Sequence, residues 1–525
     1  MKQDFDIAVV GSGFGGSLIA MIARRLGRSV ILLERGKHPR FAIGESSTPL
    51  ANLLLEELGV RYDLPALSSL SKWGAWQKAH PEVAGGLKRG FTFYHHHWDE
   101  PFADDAARQR QLLIAASPRD EIADTHWYRA DFDHFLARQA QAVGAEYLDE
   151  AVLHNLTFDS AGVTVNGKRS GRELSLRAKF LIDATGPRGF VHRALNLPEL
   201  AFDHLPRTEG LYSHFTNVRR WDAVHPSADA PPYPVDDAAL HHVFDGGWIW
   251  VLRFNNGITS AGVAATESLA RKLRFEDGAA AWERFLQRLP SVKEQFRAAQ
   301  AVLDFVHAPR LSFRSSVAAG PRWALLPSAA GFIDPLLSTG FALTLLGISR
   351  LAQSIEHDWE SDRFEPGLNA YATDTFAELL AAERLVAALY ASMKDFGIFS
   401  RLSLLYFGAV SYAETARRLG RKELADSFLL HKHSRFGPRL AQCCDWVARA
   451  AQKGRFTDEE KEELQRKVVD AIAPLDSAGL CDTARRNWYP VRAEDLLEAA
   501  PKFGVGIAEI KSLLRRNGFA VSEFS

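Results

Sequence analysis

Phe5-Asp6-Ile7-Ala8-Val9-Val10-Gly11-Ser12-Gly13-Phe14-Gly15-Gly16 is the stretch whose reading decides the fold. Phe5 to Val10 is a short apolar run and reads as a buried strand. Ser17 to Leu26 follows at helical spacing, and Val30 to Leu33 is a second apolar strand, which makes a βαβ unit. Gly11-x-Gly13-x-x-Gly16 sits between strand and helix, where each glycine has a physical task. The first allows a tight turn, the second lets backbone approach a pyrophosphate, and the third lets helix pack on strand. Glu34 ends the second strand, where a carboxylate binds a ribose hydroxyl. Together these define a dinucleotide loop.

Further along, Phe180-Leu181-Ile182-Asp183-Ala184-Thr185-Gly186 is another apolar strand ending in a small turn, and Gly331-Phe332-Ile333-Asp334-Pro335 follows the apolar run Trp323 to Leu326. Asn166-Gly167, between Val163–Val165 and Leu174–Leu176, is a hairpin turn signal. His241–Phe244, Trp248–Phe254 and Ser260–Ala264 are separated by glycine- and asparagine-rich turns and read as an antiparallel meander. From about residue 376 the pattern is helical, and Thr457-Asp458-Glu459-Glu460 has the spacing of a capping box.

Composition narrows the function classes. Among 525 residues, 63 are Lys or Arg and 64 Asp or Glu, so the formal charge is −1. Such a balance gives no footprint for nucleic acid or an anionic membrane. With 46% apolar and 24% charged residues the chain is not globally disordered. The three cysteines, Cys443, Cys444 and Cys481, are not a disulfide framework and fit a reducing cytoplasm. The adjacent pair reads as buried thiols on a helix. No apolar run approaches the roughly 20 residues of a spanning helix, so no membrane association is expected. His95-His96-His97 alternates faces on a strand and does not converge on one ion, so no metal is expected.

The three-part arrangement of glycine loop, Phe180–Gly186 and Gly331–Pro335 resembles the FAD-binding domain of the flavin monooxygenase superfamily. Pro327-Ser328 stands where many hydroxylases have Gly-Asp. Four segments narrow the likeness: His38 to Ser46, Lys88 to Phe93, Gly247-Trp248-Ile249-Trp250, and Gly331 to Gly340. In this order they resemble a flavin-dependent halogenase, nearest the branch acting on phenolic and other non-tryptophan substrates. The resemblance implies an α/β, Rossmann-type FAD domain (1–202 and 300–375), an inserted antiparallel sheet (203–299) and a C-terminal helical region (376–525). It implies reduced FAD and chloride or bromide as cofactor and halide, a separate flavin reductase, and a small aromatic substrate, free or carrier-bound. Asp334 is expected near the ribityl chain, and Arg129 either contacts the flavin or forms a surface ion pair. The halide is expected at Thr339 and Gly340. Lys88 is expected to hydrogen-bond hypohalous acid or form a haloamine, against the plain alternative of a solvated loop lysine. Glu45 either orients flavin, accepts the ring proton, or serves as an ion-pairing carboxylate.

Two positions depart from the family pattern. Tryptophan halogenases carry a glutamate where this chain has Leu337, which argues against free tryptophan as substrate. The family's Trp-x-Trp-x-Ile-Pro reads Trp248-Ile249-Trp250-Val251-Leu252-Arg253 here. Trp248 and Trp250 share one strand face and would keep substrate from the flavin, while Arg253 would bind an anionic group or alter the tunnel. A flavin hydroxylase and a non-catalytic FAD-binding protein are the remaining alternatives.

Overall fold

A computed structural model describes residues 4–103 and 105–520. The strand Asp4–Val10 sits in the middle of a parallel sheet, with Ile7 opposite Phe180 on one side and Val30 on the other. Across the sheet the order is Trp323–Leu325, Arg172–Asp183, Asp4–Val10, Val30–Leu33 and Glu146–Leu148. The central segments Ile7–Val10 and Val30–Leu33 are apolar throughout because both faces are covered. The helices Phe14–Arg25, Arg129–Ala142 and Thr339–His357 cover one face. The hairpin strands Ala151–Phe158 and Val163–Arg169, which continue from the first half of Arg172–Asp183, pack their apolar residues in the core on the other.

A second sheet runs Thr208–Thr216, Thr259–Thr266, Gly247–Arg253, Ala239–Phe244, Gly90–His95 and Gln111–Ala115. The meander is therefore present as expected. Two of its partners, Gly90–His95 and Gln111–Ala115, come from before residue 202, and Trp488–Tyr489 from the tail extends its edge. Gly85–Lys88 forms a separate two-stranded ribbon with Asp124–Trp127. The chain changes sheets at Arg89, which leaves Lys88 at the corner. This crossing is tight: a Cβ on Gly86 would lie 1.8 Å from the Arg253 carbonyl oxygen.

The sequence reading needs three adjustments. Asn166-Gly167 lies inside the strand Val163–Arg169, and the turn falls at Ser170-Gly171. Both of those residues have positive φ (48° and 79°), as a two-residue turn between twisted strands requires. Val165 still pairs with Leu176, so the flanking strands were assigned to each other and the turn placed too early. Helical structure begins well before residue 376, with Thr339–His357 and Phe364–Ser392. Finally, Leu336–His357 and Phe396–Arg418 are long and apolar enough to cross a membrane, with mean hydropathy 1.2. Their most apolar windows are 72% and 78% buried inside this fold, so protein already covers most of that surface.

The smaller expectations hold. Cys443 and Cys444 are buried thiols on the helix Phe436–Ala451. Thr457 accepts the Glu460 N–H at 3.2 Å while Glu460 accepts the Thr457 N–H at 2.9 Å. Thr457→Ala should lower unfolding free energy by about 1 kcal/mol, measured by denaturant titration, with activity unchanged.

Candidate active site

The glycine loop is built as its spacing requires. Gly11 has φ +96°, and a Cβ on Gly16 would lie 1.8 Å from the Gly11 carbonyl oxygen. Gly13 faces charge: a Cβ there would be 3.5 Å from Arg129 Nη2, 3.6 Å from Asp133 Oδ2 and 3.7 Å from Arg40 Nη2. Glu34 accepts N–H groups from Ser12 and Gly36 at 3.1 and 2.9 Å and meets Arg40 at 3.2 Å. Burial pushes its carboxyl up, but Arg40 and those donors win and bring it down to about 2. A helix N-terminus, two guanidinium groups and an ionised carboxylate thus surround a loop with no side chains in the way. This donor set fits the pyrophosphate and ribose of FAD.

Arg129 is not a surface residue. Its guanidinium holds Asp133 through two 2.8 Å bonds and donates to the carbonyls of Ile43 and Gly44 at 2.9 Å. It therefore ties the glycine loop to the segment leading into Glu45. Glu45 is buried: it bonds His214 Nε2 at 2.8 Å and accepts the Ser260 hydroxyl at 2.7 Å. Trp250 Nε1 approaches the same Ser260 at 3.3 Å.

Lys88 is fully buried. Its Nζ donates to Ser46 Oγ at 2.9 Å and to the Ser47 carbonyl at 2.6 Å, and lies 3.8 Å from the centre of the Phe91 ring. The solvated-loop alternative is therefore excluded. Burial holds the ammonium well below the ordinary lysine range, with Asp124 opposing. Opposite Lys88 in the ribbon, Asp124 is also buried, and burial raises its carboxyl against the pull of Lys88. Asn52 Nδ2 donates to Asp124 Oδ1 at 2.8 Å, and the Ser47 hydroxyl is shared between Asn52 Oδ1 at 3.0 Å and the Thr125 carbonyl at 2.9 Å.

Beyond Phe91 opens a cleft lined largely by apolar and aromatic side chains. Tyr406 and Phe407 form its floor with Phe91, and Leu480, Tyr489 and Leu513 from the tail wall it. Glu414 and Arg418 line it as a half-buried ion pair, 2.7 Å apart. Phe396 and Phe399 pack in the core instead.

The remaining sites divide. Trp248 and Trp250 share one face, with ring centres 5.7 Å apart. Arg253 does not join them, which corrects the expectation of substrate gating. Strand parity turns it to the opposite face, where it pairs with Asp236 at 3.1 Å and donates to the carbonyls of Val218 and Arg219. Asp334 is buried, with Trp248 Nε1 at 3.2 Å on one oxygen and the Tyr390 hydroxyl at 2.8 Å on the other. Burial lifts its carboxyl to about 6 against these bonds. Thr339 and Gly340 open the helix Thr339–His357 just after Leu337 and Ser338, which have φ 65° and 54°. No atom lies within 4 Å of a Cβ built on Gly340. The histidine run splits as expected: His95 bonds the Met393 carbonyl and His96 bonds His242.

Sequence reasoning missed Asp124, Asn52, His214 and Ser260. None carries a local motif, and each becomes meaningful only through a partner distant in sequence.

The chain's sequence relatives make it an FAD-dependent halogenase. The chain belongs to the tryptophan halogenase family, whose sequence profile matches residues 6–382. It is 28% identical to the tetracycline 7-halogenase of Kitasatospora aureofaciens over 423 residues, covering 78% of this chain and 73% of the relative. It is 29% identical to the monodechloroaminopyrrolnitrin halogenase PrnC of Pseudomonas fluorescens, covering 77% and 71%. Among solved structures, the halogenase PltM superposes with TM-score 0.82 at 25% identity, covering 93% and 100% of the two chains. FAD is the cofactor and a halide the co-substrate of this family of enzymes, and the α/β fold matches the one expected.

Proposed function

We propose that the enzyme chlorinates or brominates an electron-rich, phenolic arene held in the Phe91–Tyr406–Phe407 cleft, with Lys88 handing over the halogen. The carrying observation is the position of Lys88: a dry amine between the Gly44–Ser47 segment that Arg129 ties to the glycine loop and the ring that floors the cleft. Reduced FAD, when bound, supplies the electrons with which dioxygen oxidises halide to hypohalous acid. Gly11, Gly13, Gly16, Glu34 and Arg129 would hold it. The N–H groups opening the helix at Thr339 and Gly340 suit a halide.

Burial serves Lys88 twice. It disfavours the ammonium, leaving an electron pair to meet electrophilic halogen. It also keeps bulk water from competing. Trp248 and Trp250 stand as a wall in the same core, which fits an arene that never touches flavin. Leu337 offers no carboxylate, so the ring must be activated by its own substituent, as a phenol is. The relatives cover both free and carrier-bound substrates: one acts on a pyrrole held by a peptidyl carrier protein. One dinucleotide loop favours a separate flavin reductase, and three free thiols fit a reducing compartment.

The test is product analysis with a phenol panel, a flavin reductase and chloride or bromide. Halide-dependent halophenol is expected. A product carrying only one added oxygen would instead support a hydroxylase.

A further inference from the structure

We infer that Asp124 holds the proton of the Lys88–Asp124 pair, so that Lys88 rests as a free amine, and supplies that proton to the Lys88 nitrogen on halogen transfer. The inference rests on Lys88 being the halogen carrier.

The hydrogen-bond count carries it. Lys88 Nζ has two hydrogen-bond acceptors, Ser46 Oγ and the Ser47 carbonyl, which take up the two N–H bonds of a neutral amine, and its remaining neighbour is the Phe91 ring at 3.8 Å rather than a carboxylate. Asp124 has one oxygen fixed by Asn52, while its Oδ2 is buried without a partner. A buried carboxylate with an empty oxygen is costly, whereas a carboxylic acid with its proton there is neutral. The two side chains stand directly opposite on one face of the ribbon. Asn52 links them, because Ser47 provides both the carbonyl that receives Nζ and the hydroxyl that fixes Asn52.

The groups facing the pair agree with a neutral state. His126 lies two residues along the same strand face, and burial holds it neutral. His241 is likewise held neutral by burial. Tyr406 is a buried phenol whose ionisation is pushed up. Glu414 and Arg418 face Asp124 from the cleft side and oppose each other in charge.

The cycle balances. Hypohalous acid meets the neutral amine, an N–halogen bond forms, the halogen–oxygen bond breaks, and one amine proton leaves with the hydroxide as water. On transfer the N–halogen electron pair returns to nitrogen, which takes the proton of Asp124, while the ring carbon gains halogen. The proton then lost from that carbon restores the Asp124 acid.

Infrared difference spectroscopy tests this without turnover. At neutral pH the wild type should show the carbonyl stretch of a protonated carboxylic acid, absent in Asp124→Asn and retained in Lys88→Met. A band that appears only in Lys88→Met would mean an ion pair in the wild type and would overturn the inference. Asp124→Asn should also lower kcat about 100-fold with KM for the arene unchanged, and its rate should climb toward acid as solvent supplies the missing proton. Wild-type kcat in that variant would equally overturn it. Should Asp124→Asn not fold, the wild-type and Lys88→Met spectra still decide. A loss of activity in Lys88→Ala speaks to Lys88 alone, so the two ideas fail separately.

Discussion

Lys88→Ala should lose halogenation by at least about 100-fold while keeping FAD binding and fold. The magnitude is that of a proton- or group-transferring side chain removed from its site. The Lys88 side chain makes no contact with the glycine loop: its Nζ meets Ser46, Ser47 and Phe91. Cofactor affinity should therefore be unchanged, which flavin fluorescence titration checks. Halide oxidation should also persist, and free hypohalous acid should escape, detected with a small scavenger such as monochlorodimedone. An equally slow release of oxidant and of product would instead place the lesion at the flavin. Lys88→Arg should not restore activity, because guanidinium stays charged at all working pH and has no electron pair to offer.

The second large effect belongs to Gly16. Its alanine variant would set a methyl group 1.8 Å from the Gly11 carbonyl, a contact that only movement of helix against strand relieves. Overpacking of this kind destabilises by about 3 kcal/mol. The same movement misaligns the loop N–H groups, so FAD binding should fall by more than tenfold. Thermal unfolding in the absence and presence of FAD separates the two losses. The variant should melt lower in both and show a smaller shift on adding FAD. Gly13→Ala is the informative contrast. Its Cβ would find atoms no nearer than 3.5 Å, so stability should hold while FAD affinity falls.

The parts of this fold that were legible in the sequence are those set by local rules. Glycine spacing fixed the loop, and apolar runs marked the parallel strands. Alternation put Trp248 and Trp250 together, and the same parity places Arg253 on the other face. That consequence follows from the sequence alone, yet the likeness to a proline-containing motif drew Arg253 toward the tryptophans. The hairpin turn shows a different limit. Asn166-Gly167 is the stronger local signal, but pairing of Val165 with Leu176 moved the turn to Ser170-Gly171. Register, which depends on what each face buries, overrode turn propensity.

Asp124 was illegible for a deeper reason. Nothing in Asp124-Thr125-His126-Trp127 distinguishes a buried carboxyl from an exposed one. Its role comes from a ribbon partner 36 residues earlier and an amide on the helix Pro49–Arg61. The Glu45–His214 pair is similar, since Glu45 meets a strand of the second sheet far along the chain. Polar networks of this kind are assembled by topology, and single-sequence patterns carry no trace of them.

Sequential mixing tests the central claim most directly. Enzyme with reduced FAD is given dioxygen and bromide with no arene, passed rapidly through a desalting column, and only then offered a phenol. If Lys88 carries the halogen, up to one bromophenol per protein should form, and none in Lys88→Ala. Bromophenol that appears only when the phenol is present during oxidation, or that survives loss of Lys88, would contradict the account.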